Sequence, residues 1–189
     1  MPKLGAEPIR KAALINAAIA AVGRAGSLDV TVAQIARDAG MSSALAHHYF
    51  GSKDRIFLAA MRHILTQYGA GIRAALVGVA DPRARLDAIV QGSFSGGNFD
   101  RDTIAAWLNF YVLTLTDPQA ARLLAVYHRR LRSNLVHALR PLAGTRAGGV
   151  ADTLGALIDG VYLRAVLDRQ APDPAEAKAL VVRYLDEVL

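Results

Sequence analysis

No cysteine occurs among the 189 residues, which excludes disulfides, thiolate catalysis and cysteine-type zinc sites. Long hydrophobic runs are missing too. The chain is 53 % apolar, yet its longest apolar stretches, such as 74–80 and 111–113, fall far short of the roughly 20 residues a membrane-spanning helix needs, so no membrane partner is expected. The start, Met1-Pro2-Lys3-Leu4-Gly5, lacks the basic-then-apolar-then-small order of a secretory signal, and a cytoplasmic setting is expected. No GxSxG, P-loop, HExxH or GxGxxG run occurs. The five histidines, His47, His48, His63, His128 and His137, are not paired with carboxylates at ligand spacing. An enzyme, a metal site and a cofactor are therefore not expected. Stretches of alternating β-branched residues between turn signals are equally absent, which leaves helices.

What is present is positive charge and helical periodicity. The formal net charge is +6, which favours polyanionic partners, although the excess is only mildly concentrated toward the N-terminus. The length suits a compact reading module plus a larger helical partner domain. The periodicity predicts an all-α chain of about nine helices. Ile9 to Ala25 reads as the first. Thr31 caps Val32–Ala39, Gly40 stops it, and Ser42 starts a helix to about His48. After the Gly51-Ser52 break a long helix is expected from Lys53 to about Val79. Asp81-Pro82 and Asp117-Pro118 each supply a cap and a first-turn proline, for helices to about Gly92 and Arg140. Between them Thr103–Thr116 forms an aromatic helix after the loop at 94–98. Pro141 to Gly149 reads as a break, and two final apolar helices cover Val150–Leu167 and Pro174–Val188. The expected domains are 1–52, a three-helix helix-turn-helix unit, and 53–189, a helical ligand-binding and dimerisation unit.

The stretch Thr31 to Ser42 has the form of a helix-turn-helix: a helix ending at glycine, a very short turn, and a second helix opening on small hydroxyl residues. Val32, Ile35 and Ala36 would face the core and Met41 would plug the turn. The second helix would then show a DNA groove Ser42, Ser43, Ala44, His47 and His48, short side chains able to reach base edges and phosphates. Lys53, at the next helix N-terminus, suits a phosphate. For each histidine alone, a polar surface role is the bland alternative.

From Thr31 through His48-Tyr49-Phe50 and Ser52-Lys53 the sequence resembles the tetracycline-repressor family of bacterial regulators. Ile9-Arg10, Ala106-Trp107-Leu108, Arg129-Arg130-Leu131 with Ser133-Asn134-Leu135-Val136, and Leu157-Ile158-Asp159-Gly160 with Leu163-Arg164-Ala165 are similar to its choline-responsive branch, the repressors of glycine betaine synthesis. The resemblance covers nearly the whole chain. It implies that Thr31, Ser42, Ser43, Ala44, His47, His48, Tyr49 and Lys53 line the surface for double-stranded DNA, with Lys3 and Arg10 in a phosphate-binding arm. It also implies a small-molecule effector, with choline as the lead. Ala44 and His47 stand where glycine and tyrosine are common, so the operator sequence does not carry over.

In the C-terminal part Trp107, Phe110 and Tyr111 lie three and four residues apart on one helix, and Tyr127 and Tyr162 sit on later ones. Together they could close around a quaternary ammonium, with Asp159 as counter-charge. Phe110-Tyr111 departs from the Phe-Trp expected of that branch. The alternatives are that the stripe is ordinary core and that Arg164 or Arg130 pairs with Asp159. Apolar residues of the last two helices (Leu154, Ile158, Val161, Ala165; Leu180, Val181, Tyr184, Leu185, Val188) suggest a two-fold homodimer. Such a dimer would set two recognition helices roughly 34 Å apart on a pseudo-palindromic operator. The long helix from Lys53 is the expected lever between domains. Two other readings remain beside this one: a repressor answering a different cationic or apolar compound, and a helical adaptor without DNA.

Overall fold

The computed structural model describes residues 6–95, 99–167 and 173–189. Lys3, residues 96–98 of the expected loop, residues 168–172 of the last break and the Ala165 side chain lie outside the described residues. Among the described residues there are nine α-helices, one 3-10 turn and no strand: α1 Ala6–Ala25, α2 Val32–Asp38, α3 Ser43–Phe50, α4 Lys53–Leu76, α5 Pro82–Ser93, α6 Arg101–Leu113, α7 Pro118–Ala143, the turn Gly144–Arg146, α8 Ala147–Leu167 and α9 Pro174–Val188.

Capping explains most of these boundaries. The hydroxyls of Thr31, Ser42 and Ser52 and the carboxylates of Asp81, Asp100, Asp117 and Asp173 each accept from a first-turn backbone N–H, which satisfies donors that a helix start leaves orphaned. Thr31 goes further and forms a capping box with Gln34. The α2–α3 turn is a Schellman closure: Met41 N–H donates to Ala36 O at 2.8 Å and Gly40 N–H to Arg37 O at 3.0 Å. Gly40 occupies the left-handed position, with φ 68°, where a side chain would be strained. Ile35, Ala36 and Ala46 are buried beneath this turn, and the small side chains let α2 pack closely against α1 and α3.

Several boundaries differ from expectation, among them the start of α8, at Ala147 rather than Val150. Helix α1 starts at Ala6, so Arg10 lies on a helix rather than on an arm. Helix α4 ends at Leu76, before the left-handed Gly78. The aromatic helix runs from Arg101 to Leu113, because Asp100 is the cap. The break expected at Pro141 comes later: α7 continues to Ala143. Pro141 sits in its last turn, where a missing N–H forfeits a single bond, and Gly144, at φ 54°, makes the stop.

Packing then ties the two halves together. Helix α6 lies along α1: Asn109 Nδ2 donates to Gly26 O at 3.3 Å, and the Asp102 carboxylate lies so close over Gly23 that a Cβ there would meet it at 2.2 Å. Helix α4 touches α1 and α6 on one side and α5 and α7 on the other. Both α4 and α6 therefore reach from the N-terminal helices into the body.

Candidate functional site

Two places bring the expected residues together. The first is the outer surface of α2 and α3. Thr31, Ala44, His47 and His48 are exposed there, and Ser43 and Tyr49 are half-buried. Ala44, His47 and His48 share one face of α3 by their spacing of three and four. Several of these side chains already have protein partners. Ser42 Oγ accepts from Leu45 N–H at 3.2 Å, His47 Nδ1 is 3.1 Å from Gly51 O, and the His48 and Tyr49 rings are 5.5 Å apart. The Lys53 ammonium turns inward and donates to Leu28 O at 3.3 Å, so a phosphate there would have to draw it outward. The sequence reading missed two neighbours. Gln34 is exposed beside Thr31, and Lys11 of α1 lies 5.8 Å over the Tyr49 ring while pairing with Glu7 at 2.6 Å. The capping-box spacing of Thr31 and Gln34 was the signal for the former.

The second place is a chamber inside the body. Tyr68 of α4, Ser93 of α5, Trp107 and Tyr111 of α6, Tyr127 of α7 and Ile158, Asp159 and Tyr162 of α8 line it. Its free volume is only about 20 Å³, room for roughly one water. Trp107 is the hub: its ring centroid lies 5.0 Å from Tyr127, 5.7 Å from Tyr111 and 6.4 Å from Tyr162. Tyr68 meets Tyr127 edge-on at 5.6 Å, and its hydroxyl is 3.1 Å from Ser93 Oγ, which in turn donates to Ile89 O. Asp159 accepts from the Tyr127 hydroxyl at 3.1 Å and lies 3.3 Å from His128 Nε2. Its partners are thus the phenols of Tyr127 and Tyr111 and an imidazole, not Arg130 or Arg164. Among the described residues no lysine or arginine lines the chamber.

Phe110 is placed elsewhere. It is 1 % exposed and faces α1 and α4, beside Ala18, Val22, Phe57 and Met61, although its ring edge touches Trp107 at 5.9 Å. Consecutive positions on a helix are about 100° apart, so α6 can send Tyr111 into the chamber and Phe110 into the seam. Tyr68 and Ser93 were missed because each stands alone in a helix whose apolar pattern gives no hint of a pocket.

Burial raises the acidity constants of all four chamber phenols. Tyr68 is pushed up to about 12 by desolvation. Tyr111, Tyr127 and Tyr162 are raised as well, first through desolvation and then through the negative charges of Asp159 for Tyr111 and Tyr127 and of Asp100 for Tyr162. The folded state thus holds these protons more tightly than the unfolded chain, whose phenols ionise near 10. The stabilisation is complete below pH 10 and is lost as pH rises through the folded values. In an alkaline titration the 295 nm absorbance of these four should therefore rise together with loss of helical circular dichroism. A rise near pH 10 with the helices intact would contradict their burial.

A helix-turn-helix surface joined through packed helices to an aromatic, acid-bearing chamber is the organisation of a DNA-binding transcriptional regulator. Comparison with known proteins agrees. Residues 14–60 match the tetR family of bacterial regulatory proteins, and residues 82–189 match the C-terminal region of the BetI-type transcriptional repressors. The HTH-type transcriptional regulator BetI of Brucella anthropi is 52 % identical over 186 residues, spanning 98 % of this chain and 96 % of that one. Its namesake in Agrobacterium fabrum is 47 % identical over 98 % of this chain and 91 % of its own. Among solved structures, a regulator of Pseudomonas aeruginosa superposes with a TM-score of 0.81 at 27 % identity, covering 98 % and 92 % of the two chains. A regulator of Saccharomonospora viridis, solved in complex with choline, superposes with a TM-score of 0.80 at 21 % identity over 93 % and 95 %. The chain belongs to the tetR family and, within it, to the BetI-type transcriptional repressors. Among the described residues no helix is long and apolar enough to cross a membrane.

Proposed function

We propose that the chain represses genes for converting choline to glycine betaine, with choline as its signal, and that it acts as a homodimer on a pseudo-palindromic operator. The observation that carries the signal is the chamber: rings of Tyr68, Trp107, Tyr111, Tyr127 and Tyr162 around a carboxylate, with no lysine or arginine among the described residues of the lining. Ring faces attract a trimethylammonium group by about 0.5–2 kcal/mol each, and Asp159 supplies the opposite charge that a buried cation requires. Residues 1–52 would read DNA and residues 53–189 would bind effector and partner. The dimer surface needs restating. Leu154, Ile158, Val161, Val181 and Leu185 are already buried within one chain. Of the apolar residues expected there, Leu180 is exposed and Tyr184 and Val188 are half-buried, and Leu167 is exposed as well; an added Cβ at Gly155 or Gly160 of α8 would meet nothing, so small residues there would let a partner helix approach closely.

The test is fluorescence anisotropy of the purified protein on DNA upstream of its own gene, in a salt series with and without choline. Specific binding that choline weakens is the expected result. Specific binding indifferent to choline overturns the signal, and no binding to any DNA at low salt overturns the repressor. Within this reading the α3 face supplies sequence preference and Lys53 a phosphate contact. His47→Ala should change the preference among operator variants, whereas Lys53→Ala should weaken operator and random DNA about equally and flatten the salt slope by about one. Equal, sequence-independent losses from both would end that division of labour.

A further inference from the structure

The chamber has a neighbour of opposite polarity. Between α4 and α7 a groove of about 260 Å³ shares Tyr68 and Tyr127 with the chamber and continues past Gly69 to Arg73, Arg130 and Asn134. Among the described residues its lining holds no carboxylate and includes two arginines. Arg73 is folded back over the groove: a Cβ built on Gly69 would lie 3.4 Å from its Nη1. Among the described residues neither Arg73 nor Arg130 makes an ion pair, whereas Arg24, Arg83 and Arg132 pair with Asp38, Asp87 and Asp152. Negative charge at Asp159 thus lies on one side of the two tyrosine rings, and uncompensated positive charge on the other.

We propose that chamber and groove form one site for a zwitterionic trimethylammonium compound, whose cationic head lies against Asp159 and whose anionic group lies at Arg73 and Arg130. This rests on the quaternary-ammonium reading of the chamber and extends it. Volume supports the extension: about 20 Å³ falls short of a trimethylammonium group, several water volumes in size, so Tyr127 or Tyr68 must swing to admit one. Such a swing opens the chamber into the groove. Arginine suits the far end because its planar fork matches carboxylate and phosphate oxygens. Asn134, half-buried in the same wall, adds a donor. The groove also lies along α4, whose first residue adjoins α3, so an occupant wedged between α4 and α7 would act on the DNA-reading end.

Trp107, the chain's one tryptophan, is the probe. Its fluorescence is titrated with choline, with tetramethylammonium and with phosphocholine, which carries a phosphate on the choline oxygen, against the wild type and the Arg73→Ala/Arg130→Ala double variant. Phosphocholine should bind wild type about tenfold more tightly than choline, the strength of one good charge-assisted contact at a partly solvated site. The double variant should remove that preference while leaving choline affinity within about twofold, which also shows that it folds; added salt should shrink the preference. Choline binding with no gain from phosphate, or a gain that survives the double variant, overturns the groove subsite and leaves the chamber reading intact. Failure of all three compounds to change the Trp107 signal overturns the chamber reading, and with it the extension.

Discussion

Asp159→Asn is expected to weaken choline binding by roughly thirty- to a hundredfold while leaving DNA affinity in the absence of choline unchanged. The size follows from the position. Among the described residues Asp159 is the one carboxylate in the chamber lining, and its side chain is 22 % exposed. Removing one charge from a fully buried pair costs about 3–5 kcal/mol, and partial exposure reduces this to about 2–3 kcal/mol, since water screens the remainder. Asparagine keeps the shape and an oxygen for the Tyr127 hydroxyl, so the fold should persist. The lost contact with His128 lies at a half-exposed imidazole and contributes little to stability. Trp107 fluorescence reads the binding and anisotropy reads the DNA. Choline affinity within twofold of wild type would remove Asp159 from the site.

The N-terminal half was legible because its signals are local. Thr31, Gly40 and Ser42 specify caps and a turn by their own backbone chemistry, and the structure places each in that role. Local chemistry does not specify which way a residue inside a continuous helix faces. The sequence grouped Trp107, Phe110 and Tyr111 because their spacing allows a shared face, yet the neighbours that divide this face, α1 and α4 against α7 and α8, are remote in sequence. Tyr68 and Ser93 escaped for the same reason: their membership in the chamber depends on how α4 and α5 are turned against α6. Asp159 was found because a carboxylate in the apolar run Leu157-Ile158-Asp159-Gly160 stands out at sequence level. Its partners, Tyr127 and His128 of α7 and Tyr111 of α6, did not, since charge pairing alone points to arginine. Lys53 shows the converse limit: its place at a helix start was legible, but its bond to Leu28 O depends on a loop 25 residues earlier.

Phe110→Ala separates the two faces of α6. At 1 % exposure, truncation of this ring should cost about 3–5 kcal/mol and lower the melting temperature by about 10 °C for a chain of this size. Choline affinity, measured well below that transition, should change by less than about threefold, because Trp107 and Tyr111 rather than Phe110 line the chamber and edge contact with Trp107 accounts for only a small term. The effect of choline on DNA affinity should shrink by more than choline binding does. Coupling between two sites is typically about 1–3 kcal/mol and requires an element that both sites bias; α6 carries chamber residues on one side and, through Phe110, Asn109 and Asp102, grips α1 on the other. A cavity opened in that seam lets α6 respond to the effector without moving α1. Unchanged stability together with lost choline binding would return Phe110 to the ligand site and assign the seam no part in transmission.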